Sequence, residues 1–407
     1  MNYDICIIGG GAAGMMAAIV AKQKNPALNV LILERLSRVG KKLSLTGNGR
    51  CNITNRELSV KNYHGAQPEF VLPFFENFSV SDTERFFEKL GISIIYEESK
   101  GYPASLQAAS VTDALRFSCD ELGVITECEQ KVIDIQKNSG GFCVITDKNK
   151  FSATAVVVAS GLLSGGEKLG CDGSMLELLK KMGVSCNALS PAIVQLKTDT
   201  EIVRQLKGIK VNARASHISK NTVVREEFGE VLFCDYGLSG PPILQLAGGC
   251  SVNDVISLDL ASCSALDELK DKLVKRAENL KYRKNDEFLS GFINKRLGQV
   301  ILKTCGISLN DYVSTLNHSD IEKICRRIKN FKITVRGHNG FVNSQVTKGG
   351  LLCREFDNQT LMCKKIPGLF AAGEILDIDG DCGGYNLQWA WSSGYAAGIA
   401  AACYTEK

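Results

Sequence analysis

Residues 3–14 read Tyr-Asp-Ile-Cys-Ile-Ile-Gly-Gly-Gly-Ala-Ala-Gly, and residues 31–34 read Leu-Ile-Leu-Glu. An apolar strand that ends in Gly-x-Gly-x-x-Gly, followed by a small-residue helix and a second apolar strand, is typical of a dinucleotide-binding βαβ unit. Gly9 permits the tight turn, Gly11 lets backbone N–H groups approach a pyrophosphate, and Gly14 lets the helix lie close to the sheet. The N terminus of that helix then faces the phosphates.

Glu34 ends the second strand at about the 20-residue spacing expected for a carboxylate that accepts hydrogen bonds from ribose hydroxyls. Its charge disfavours the 2′-phosphate of NADP, while the neighbouring Arg35 weakens that exclusion. The fingerprint by itself therefore leaves NAD(P) and FAD open.

The composition is that of an ordinary globular protein. The chain has 407 residues, of which 44% are hydrophobic and 23% are charged, and this length suits two or three domains. The formal net charge of +4 and the lack of a basic run argue against nucleic acid as the main partner. The sequence shows neither a basic leader nor about 18 consecutive apolar residues, so we expect no signal peptide and no membrane segment.

Cysteine and histidine spacing excludes several chemistries. The sixteen cysteines are scattered without any Cys-x-x-Cys, and the four histidines are far apart. This pattern contains no iron–sulfur motif, no redox-active dithiol and no zinc knuckle, and we predict no metal site. A reducing, cytoplasmic setting fits better than a disulfide scaffold.

The sequence pattern predicts an α/β fold with insertions. We expect a Rossmann-like nucleotide domain from residues 1–190 plus 345–407. It is interrupted by an antiparallel β or barrel-like domain at 191–262 plus 329–344 and by a helical insertion at 263–328.

Three further segments are predicted to reach the ligand. Residues 40–55 combine two lysines and an arginine with glycines, which suits a pyrophosphate, and Cys51 within them is interpreted as a packing residue. A buried strand ends at Ala159-Ser160-Gly161. Near the C terminus, another strand delivers Gly373-Glu374, and a helix from Asn386 presents its N terminus to negative charge.

Several longer motifs carry a family resemblance. They are Gly-Lys-Lys-Leu at 40–43, Gly-Arg-Cys-Asn-Ile-Thr-Asn at 49–55, Gly-Leu-Ser-Gly-Pro-Pro-Ile-Leu at 237–244, Gln-Val-Thr-Lys-Gly-Gly at 345–350, Gly-Glu-Ile-Leu-Asp-Ile-Asp-Gly at 373–380 and Gly-Gly-Tyr-Asn-Leu-Gln at 383–388. In these motifs the chain resembles the bacterial BaiN/RdsA-type NAD(P)/FAD-dependent oxidoreductases. The resemblance implies tightly bound FAD in a two-dinucleotide-binding flavoprotein fold. Thr-Gly-Asn-Gly at 46–49 and Ala-Ser-Gly-Leu at 159–162 depart from the family's usual residues but keep small residues beside the cofactor.

Motifs and resemblance together give a set of candidate site residues. The predicted cofactor-binding residues are Gly9, Gly11, Ala12, Ala13, Gly14, Glu34, Arg35, Gly40, Lys41, Lys42, Thr46, Gly47, Asn48, Arg50, Cys51, Asn52, Val132, Ala159, Ser160, Gly161, Gly373, Glu374, Asp379, Gly384, Asn386 and Leu387. Tyr385 is the candidate proton donor, and an aromatic lid packed on the flavin is the alternative role for it.

Among the activities that the family resemblance implies, we favour reduction of a conjugated C=C bond in a small hydrophobic substrate, such as a 3-oxo bile acid or a steroid-like enone. NAD(P)H would dock transiently as the electron donor, because the chain has one full Gly-x-Gly-x-x-Gly. An FAD-dependent oxidase of a small amine and a flavin-containing RNA-modifying or RNA-binding protein are the alternatives. The sequence gives no indication of the oligomeric state.

Overall fold

The computed structural model of this chain describes residues 2–406, which form two compact units. The first unit comprises the described residues up to Ala192 and from Phe341 onwards, and the second comprises Ile193–Gly340. No helix among residues 2–406 combines the length and the apolar character that crossing a bilayer requires.

The first unit begins with alternating strands and helices. Up to residue 192 its strands are β1 Asn2–Ile8, β2 Val30–Leu33, β3 Thr54–Asn55, β4 Tyr63–His64, β5 Ile94–Glu97, β6 Lys100–Pro103, β7 Ile125–Glu127, β8 Val132–Asn138, β9 Gly141–Thr146, β10 Lys150–Val158 and β11 Cys186–Ala192. Its helices in this stretch are α1 Ala12–Lys24, α2 Leu72–Asn77, α3 Val80–Lys89, α4 Ala108–Glu121 and α5 Ser174–Lys181. Every residue of β2 is buried, as a central parallel strand covered on both faces requires.

The second unit is a closed six-stranded barrel with helices. The strands are β12 Leu196–Thr198, β13 Lys210–Ser219, β14 Thr222–Phe233, β15 Gly237–Ser239, β16 Val255–Asp259 and β17 Phe331–His338, arranged around the barrel in the order β12-β15-β14-β13-β16-β17. The helices are α6 Thr200–Val203, α7 Pro241–Ala247, α8 Leu266–Leu280, α9 Lys295–Thr304 and α10 His318–Lys329. Buried side chains of the barrel and of the helices share one hydrophobic core. The division into separate barrel-like and helical domains stays a prediction.

The chain then returns to the first unit and completes its sheet. The last elements are β18 Val346–Leu351, β19 Leu369–Ala371, β20 Asp379–Gly380 and α11 Tyr385–Thr405. The seven-stranded sheet has the order β7-β2-β1-β10-β9-β8, with β19 also paired to β10. Strands β7, β2, β1, β10 and β19 run parallel to one another. Strand β9 pairs antiparallel with β10 on one side and with β8 on the other. The predicted α/β fold class, with a barrel inserted into a Rossmann-like unit, is confirmed.

Helices α1 and α11 pack closely because both present small residues at their contact. A Cβ atom at Gly394 would lie 2.6 Å from the Ala13 carbonyl oxygen, and one at Gly398 would lie 2.4 Å from the Ala17 carbonyl oxygen. Larger side chains at these two positions would force the helices apart. The small residues thus fix α11 against the helix that begins at the glycine turn.

Candidate functional site

The carboxyl ends of four parallel strands meet at one edge of the central sheet. β1, β2, β10 and β19 end there at Ile8, Leu33, Val158 and Ala371. The Gly9 N–H donates to the Leu33 carbonyl at 2.9 Å, and the Ala159 N–H donates to the Ile8 carbonyl at 2.9 Å. Ligands of open α/β sheets bind outside this edge. The structure therefore brings the predicted site residues Gly9, Ala159-Ser160-Gly161 and Gly373 to one location.

The glycine turn after β1 leaves space where a ligand is expected. A Cβ at Gly14 would lie 1.9 Å from the Gly9 carbonyl oxygen, so Gly14 is required by packing. At Gly11 no atom of the described residues lies within 4 Å of a Cβ position. Gly11 is the N-cap of α1 and provides no side-chain cap, which leaves the N–H groups of Ala12 and Ala13 without an intrahelical partner. This helix end is suited to a pyrophosphate.

The Glu34 carboxylate is buried beside that turn. Its Oε2 accepts from the Gly10 N–H at 3.0 Å, and its Oε1 accepts from the Leu36 N–H at 2.8 Å. Burial raises the pKa of Glu34, although these two hydrogen bonds oppose the shift. A carboxylate has about four acceptor sites, so two remain for the hydroxyls of a ribose.

Arg35, which is also predicted to bind the cofactor, forms an ion pair. Its Nη1 lies 2.6 Å from Asp172 Oδ1, and Lys131 Nζ lies 3.0 Å from Asp172 Oδ2. Burial by itself raises the pKa of Asp172, but hydrogen bonds from Arg35, Ser174 and Lys131 outweigh it and hold that pKa well below its usual value. The Arg35 charge is thus compensated by Asp172.

The basic segment at residues 40–55 contacts both the N-terminal and the C-terminal part of the first unit. The Gly40 N–H donates to the Gly10 carbonyl at 2.8 Å. Lys42 Nζ lies 2.5 Å from Glu374 Oε2, and Glu374 Oε1 accepts from the Thr347 N–H at 2.9 Å. Burial by itself lowers the pKa of Lys42, but the Glu374 carboxylate reverses this and holds it above its usual value. The structure brings Lys42 and Glu374 together, whereas Lys41 is half-exposed.

The loop at residues 46–52 contains several residues in the left-handed conformation. Gly47, Asn48 and Gly49 have φ angles of 58°, 56° and 82°, and all three residues are exposed. Cys51 follows with a φ of 59° and is fully buried, and burial raises the pKa of its thiol to about 12. A neutral buried thiol fits the packing role predicted for Cys51.

Three other residues of the loop region have defined contacts. The Thr46 hydroxyl donates to the Leu43 carbonyl at 2.7 Å. The Arg50 guanidinium pairs with Glu97 and lies 4.4 Å from the Tyr102 ring centre. Its buried Nε has no hydrogen-bond partner in the described part of the chain. The Asn52 amide, oriented to satisfy its neighbours, donates to the Thr54 and Gly101 carbonyls and accepts from the Gly384 N–H at 3.2 Å.

Helix α11 also begins without a side-chain cap. Its N-cap is Gly384, where φ is +94° and a Cβ would lie 2.4 Å from the Thr54 carbonyl oxygen. The Asn386 side chain accepts from the Gly380 N–H and donates to the Gly380 carbonyl, both at 2.8 Å, and so fixes the preceding loop. The first intrahelical hydrogen bond runs from the Gln388 N–H to the Gly384 carbonyl, so the N–H groups of residues 385–387 lie before it. Leu387 is half-buried. This end can stabilise negative charge.

Tyr385 lies in the first turn of α11 and is buried. Its hydroxyl donates to the Glu57 carbonyl at 3.5 Å, and its ring packs edge-on against Tyr63 at a centroid distance of 6.1 Å. Burial raises the pKa of the Tyr385 phenol. These contacts describe a packed aromatic residue, and its assignment as proton donor stays a prediction.

Val132 begins β8 and is buried. The Gln130 N–H, two residues earlier, donates to the Glu34 carbonyl at 2.9 Å. This bond brings the start of β8 close to the end of β2. Val132 is therefore placed near Glu34.

The residues fit FAD as a ligand. The uncapped helix with open space at Gly11 accommodates a pyrophosphate, and the buried Glu34 carboxylate has acceptor sites to spare for a ribose. The uncapped start of α11 suits the negative charge of a reduced isoalloxazine ring. The fold and this donor set define a flavoprotein oxidoreductase that depends on FAD.

Comparison with known proteins confirms the resemblance read from the motifs. Residues 3–400 match the family model described as the HI0933-like protein Rossmann domain, and the chain belongs to this family. It is 35% identical over 407 residues to 3-dehydro-bile acid delta(4,6)-reductase of Clostridium scindens, covering 98% of each chain. It is 27% identical over 398 residues to ribosomal RNA dihydrouridine synthase of Escherichia coli, covering 97% of each chain.

Solved structures share the fold at low sequence identity. A 3-ketosteroid delta1-dehydrogenase from Sterolibacterium denitrificans matches with a TM-score of 0.53 and 11% identity, covering 99% of both chains. A quinol-fumarate reductase matches with a TM-score of 0.54 and 17% identity, covering all of this chain and 72% of the other. These similarities show the flavoprotein fold.

Sequence reasoning missed three residues of this region. They are Thr347, whose N–H binds Glu374, and the pair formed by His64 and Asp381, whose Nε2 and Oδ1 are 2.8 Å apart. Two of them carried a signal, because Thr347 lies in the Gln-Val-Thr-Lys-Gly-Gly motif at 345–350 and Asp381 continues the alternation of Asp377 and Asp379. His64 is distant in sequence, and its strand is two residues long.

Proposed function

We propose that this chain uses NAD(P)H to reduce a C=C bond conjugated with a carbonyl group in a small hydrophobic substrate, such as a 3-oxo bile acid or a steroid-like enone. The observation that carries the proposal is the 35% identity to 3-dehydro-bile acid delta(4,6)-reductase over almost the whole of both chains. As that name states, the substrate of the relative has a 3-oxo group and delta(4,6) double bonds. The FAD site described above provides the required two-electron chemistry.

Each part of the site has a task in such a reaction. When bound, FAD would supply the two-electron hydride chemistry that links a reduced nicotinamide to the substrate. Gly11 and the start of α1 would bind the pyrophosphate, and Glu34 would orient the ribose. The start of α11 would stabilise the negative charge of the reduced ring. A second complete dinucleotide fingerprint is missing from the sequence, so we propose that the nicotinamide docks transiently on the flavin.

An anaerobic visible spectrum tests this proposal. We expect an oxidised-flavin spectrum that bleaches with NADH or NADPH and returns when a 4,6-dien-3-one steroid is added. Bleaching without return of the yellow colour would refute enone reduction. A flavin that stays yellow with both nucleotides but bleaches with an amine would favour the oxidase alternative.

Reduction of uridine in ribosomal RNA is a second candidate. It is favoured by the 27% identity, over almost the full length, to ribosomal RNA dihydrouridine synthase. The small net charge of +4 argues for a small-molecule substrate instead. The reduced protein should be mixed anaerobically with protein-free ribosomal RNA, and reoxidation together with new dihydrouridine by mass spectrometry would support the RNA substrate.

We also propose a cytoplasmic location. All sixteen cysteines are free thiols, which a reducing compartment maintains.

A further inference from the structure

A short strand pair lies immediately before α11. β20 and β4 are antiparallel, and Asp379 is directly opposite His64 in this pair. The Cβ atoms of directly opposed residues in an antiparallel pair are about 5 Å apart, so the two side chains leave their strands as neighbours on one face. Asp377 and Asp381 flank Asp379 at alternate positions. The region therefore concentrates three carboxylates and one imidazole.

Two of the three carboxylates have hydrogen-bond partners. Asp377 Oδ2 accepts from the Ala66 N–H at 3.1 Å and from Asn187 Nδ2 at 2.6 Å. Asp381 Oδ1 lies 2.8 Å from His64 Nε2. We interpret Asp377 and Asp381 as residues whose hydrogen bonds fix the positions of these partners.

Asp379 differs from both neighbours. Asp379 is only 4% exposed, and its Oδ1 has no hydrogen-bond partner among residues 2–406. Burial raises the pKa of Asp379 to about 6; His64 and Lys348 oppose the shift, and Asp377 and Asp381 add to it. An ionised carboxylate oxygen without a partner is costly to bury, so Asp379 holds its proton to a higher pH than an exposed aspartate does.

The position of Asp379 is fixed relative to the first turn of α11. The next residue, Gly380, is bound through both its N–H and its carbonyl to the Asn386 side chain. The Tyr63 hydroxyl, from β4, donates to the Tyr385 carbonyl at 2.8 Å. Both strands of the pair are thereby attached to the helix start that suits the flavin.

His64 connects the pair to solvent. Its side chain is 38% exposed, whereas that of Asp381 is 7% exposed. The Asp381 carboxylate fixes the imidazole by its hydrogen bond, so Asp381 acts as a positioning residue. An imidazole has two ring nitrogens that can each carry a proton, which suits a proton relay.

We propose that Asp379 donates the proton that completes reduction of the substrate C=C bond, and that His64 returns a proton to Asp379 from solvent. This inference rests on the proposed function. Hydride from the reduced flavin, originally from NAD(P)H, adds to one carbon of the C=C bond. The electron pair of that bond takes the Asp379 proton at the other carbon as the O–H bond breaks. The Asp379 carboxylate then takes a proton from the His64 imidazolium, and water reprotonates His64.

The two half-reactions should be followed separately by anaerobic stopped-flow absorbance. In Asp379→Asn, flavin reduction by NAD(P)H should stay within about twofold of wild type, while reoxidation by a 4,6-dien-3-one steroid should slow by about 100-fold or more. In His64→Gln, reoxidation should slow by about tenfold and be restored by added imidazole. His318→Gln, at an exposed histidine of the second unit, is the matched control.

A cofactor-free measurement adds an independent readout. Infrared difference spectra of the apoprotein should show a protonated carboxyl band that titrates near pH 6 and is absent in Asp379→Asn. Wild-type reoxidation rates in Asp379→Asn, or a loss confined to Tyr385→Phe, would overturn the inference. A slow reoxidation in His64→Gln that added imidazole does not restore would also overturn the inference. This second test can be made even if Asp379→Asn fails to fold. Wild-type protein that no enone reoxidises would instead refute the proposed function, and the inference with it.

Discussion

The carboxylate of Glu34 accepts the Gly10 backbone N–H at 3.0 Å, so the acid that ends β2 is fixed to the glycine turn that follows β1. In Glu34→Ala the N–H groups of Gly10 and Leu36 lose their acceptor, and a ribose would lose charged hydrogen bonds. We expect apoprotein stability to fall by about 1–3 kcal/mol and FAD retention to fall sharply. The measurements are the flavin-to-protein absorbance ratio after gel filtration and urea unfolding of the apoprotein.

Glu129→Gln provides the control for this substitution, because that side chain is 66% exposed. It should retain FAD as the wild type does. Full FAD occupancy in Glu34→Ala would contradict the assignment of Glu34 to the ribose.

Gly11 and Gly14 should respond differently to the same substitution. A Cβ at Gly14 would meet the Gly9 carbonyl oxygen at 1.9 Å, whereas at Gly11 it would enter open space. We expect Gly14→Ala to destabilise the apoprotein. Gly11→Ala should leave thermal unfolding of the apoprotein unchanged but reduce its FAD affinity, measured by fluorescence titration. An unchanged FAD affinity in Gly11→Ala would show that the space does not receive the pyrophosphate.

The fold was predictable where the signal is local. The first βαβ unit lies within 34 residues, and its glycines, small-residue helix and apolar strands each favour the same structure. The α/β class and the barrel follow from strand patterns of this kind. The helical part could not be assigned to the barrel core from the sequence, because periodicity shows which face is buried but not against which partner it packs.

The site was predictable only in part, for a related reason. Lys42 and Glu374 were each selected by their own motif, but their ion pair joins residues 332 positions apart, and nothing in either motif indicates the partner. Asp379 was selected as a cofactor residue, and His64 was not selected at all. Their pairing depends on two strands of two residues each, too short for any pattern to reveal.

The Lys42–Glu374 ion pair should contribute to both stability and cofactor retention. The side chains are 29% and 20% exposed, so the pair is partly desolvated. Lys42→Met leaves the Glu374 charge without compensation, and we expect a loss of about 1–2 kcal/mol in the apoprotein, between the values for exposed and buried pairs. FAD retention should fall as well. Lys61→Met, at an exposed lysine, is the control. Equal effects of the two variants in urea unfolding and flavin content would refute this role.

Asp379 should also make stability depend on pH in a direction opposite to that of a salt-bridged carboxylate. Its pKa is about 6 in the folded protein against the usual 3.8, so the folded state holds the proton more tightly than the unfolded state. The wild type therefore loses stability as the pH rises from about 4 to about 6, by up to about 3 kcal/mol. Asp379→Asn cannot ionise at this position and escapes that loss.

In urea unfolding of the apoprotein, the stability of Asp379→Asn minus that of the wild type should become more positive between pH 4.5 and pH 7.5. Asp113→Asn, an exposed carboxyl on α4 with a 53% exposed side chain, provides the comparison. A difference for Asp379→Asn that stays constant across this range would mean that Asp379 is ionised at both pH values, and would remove the basis for its role as an acid.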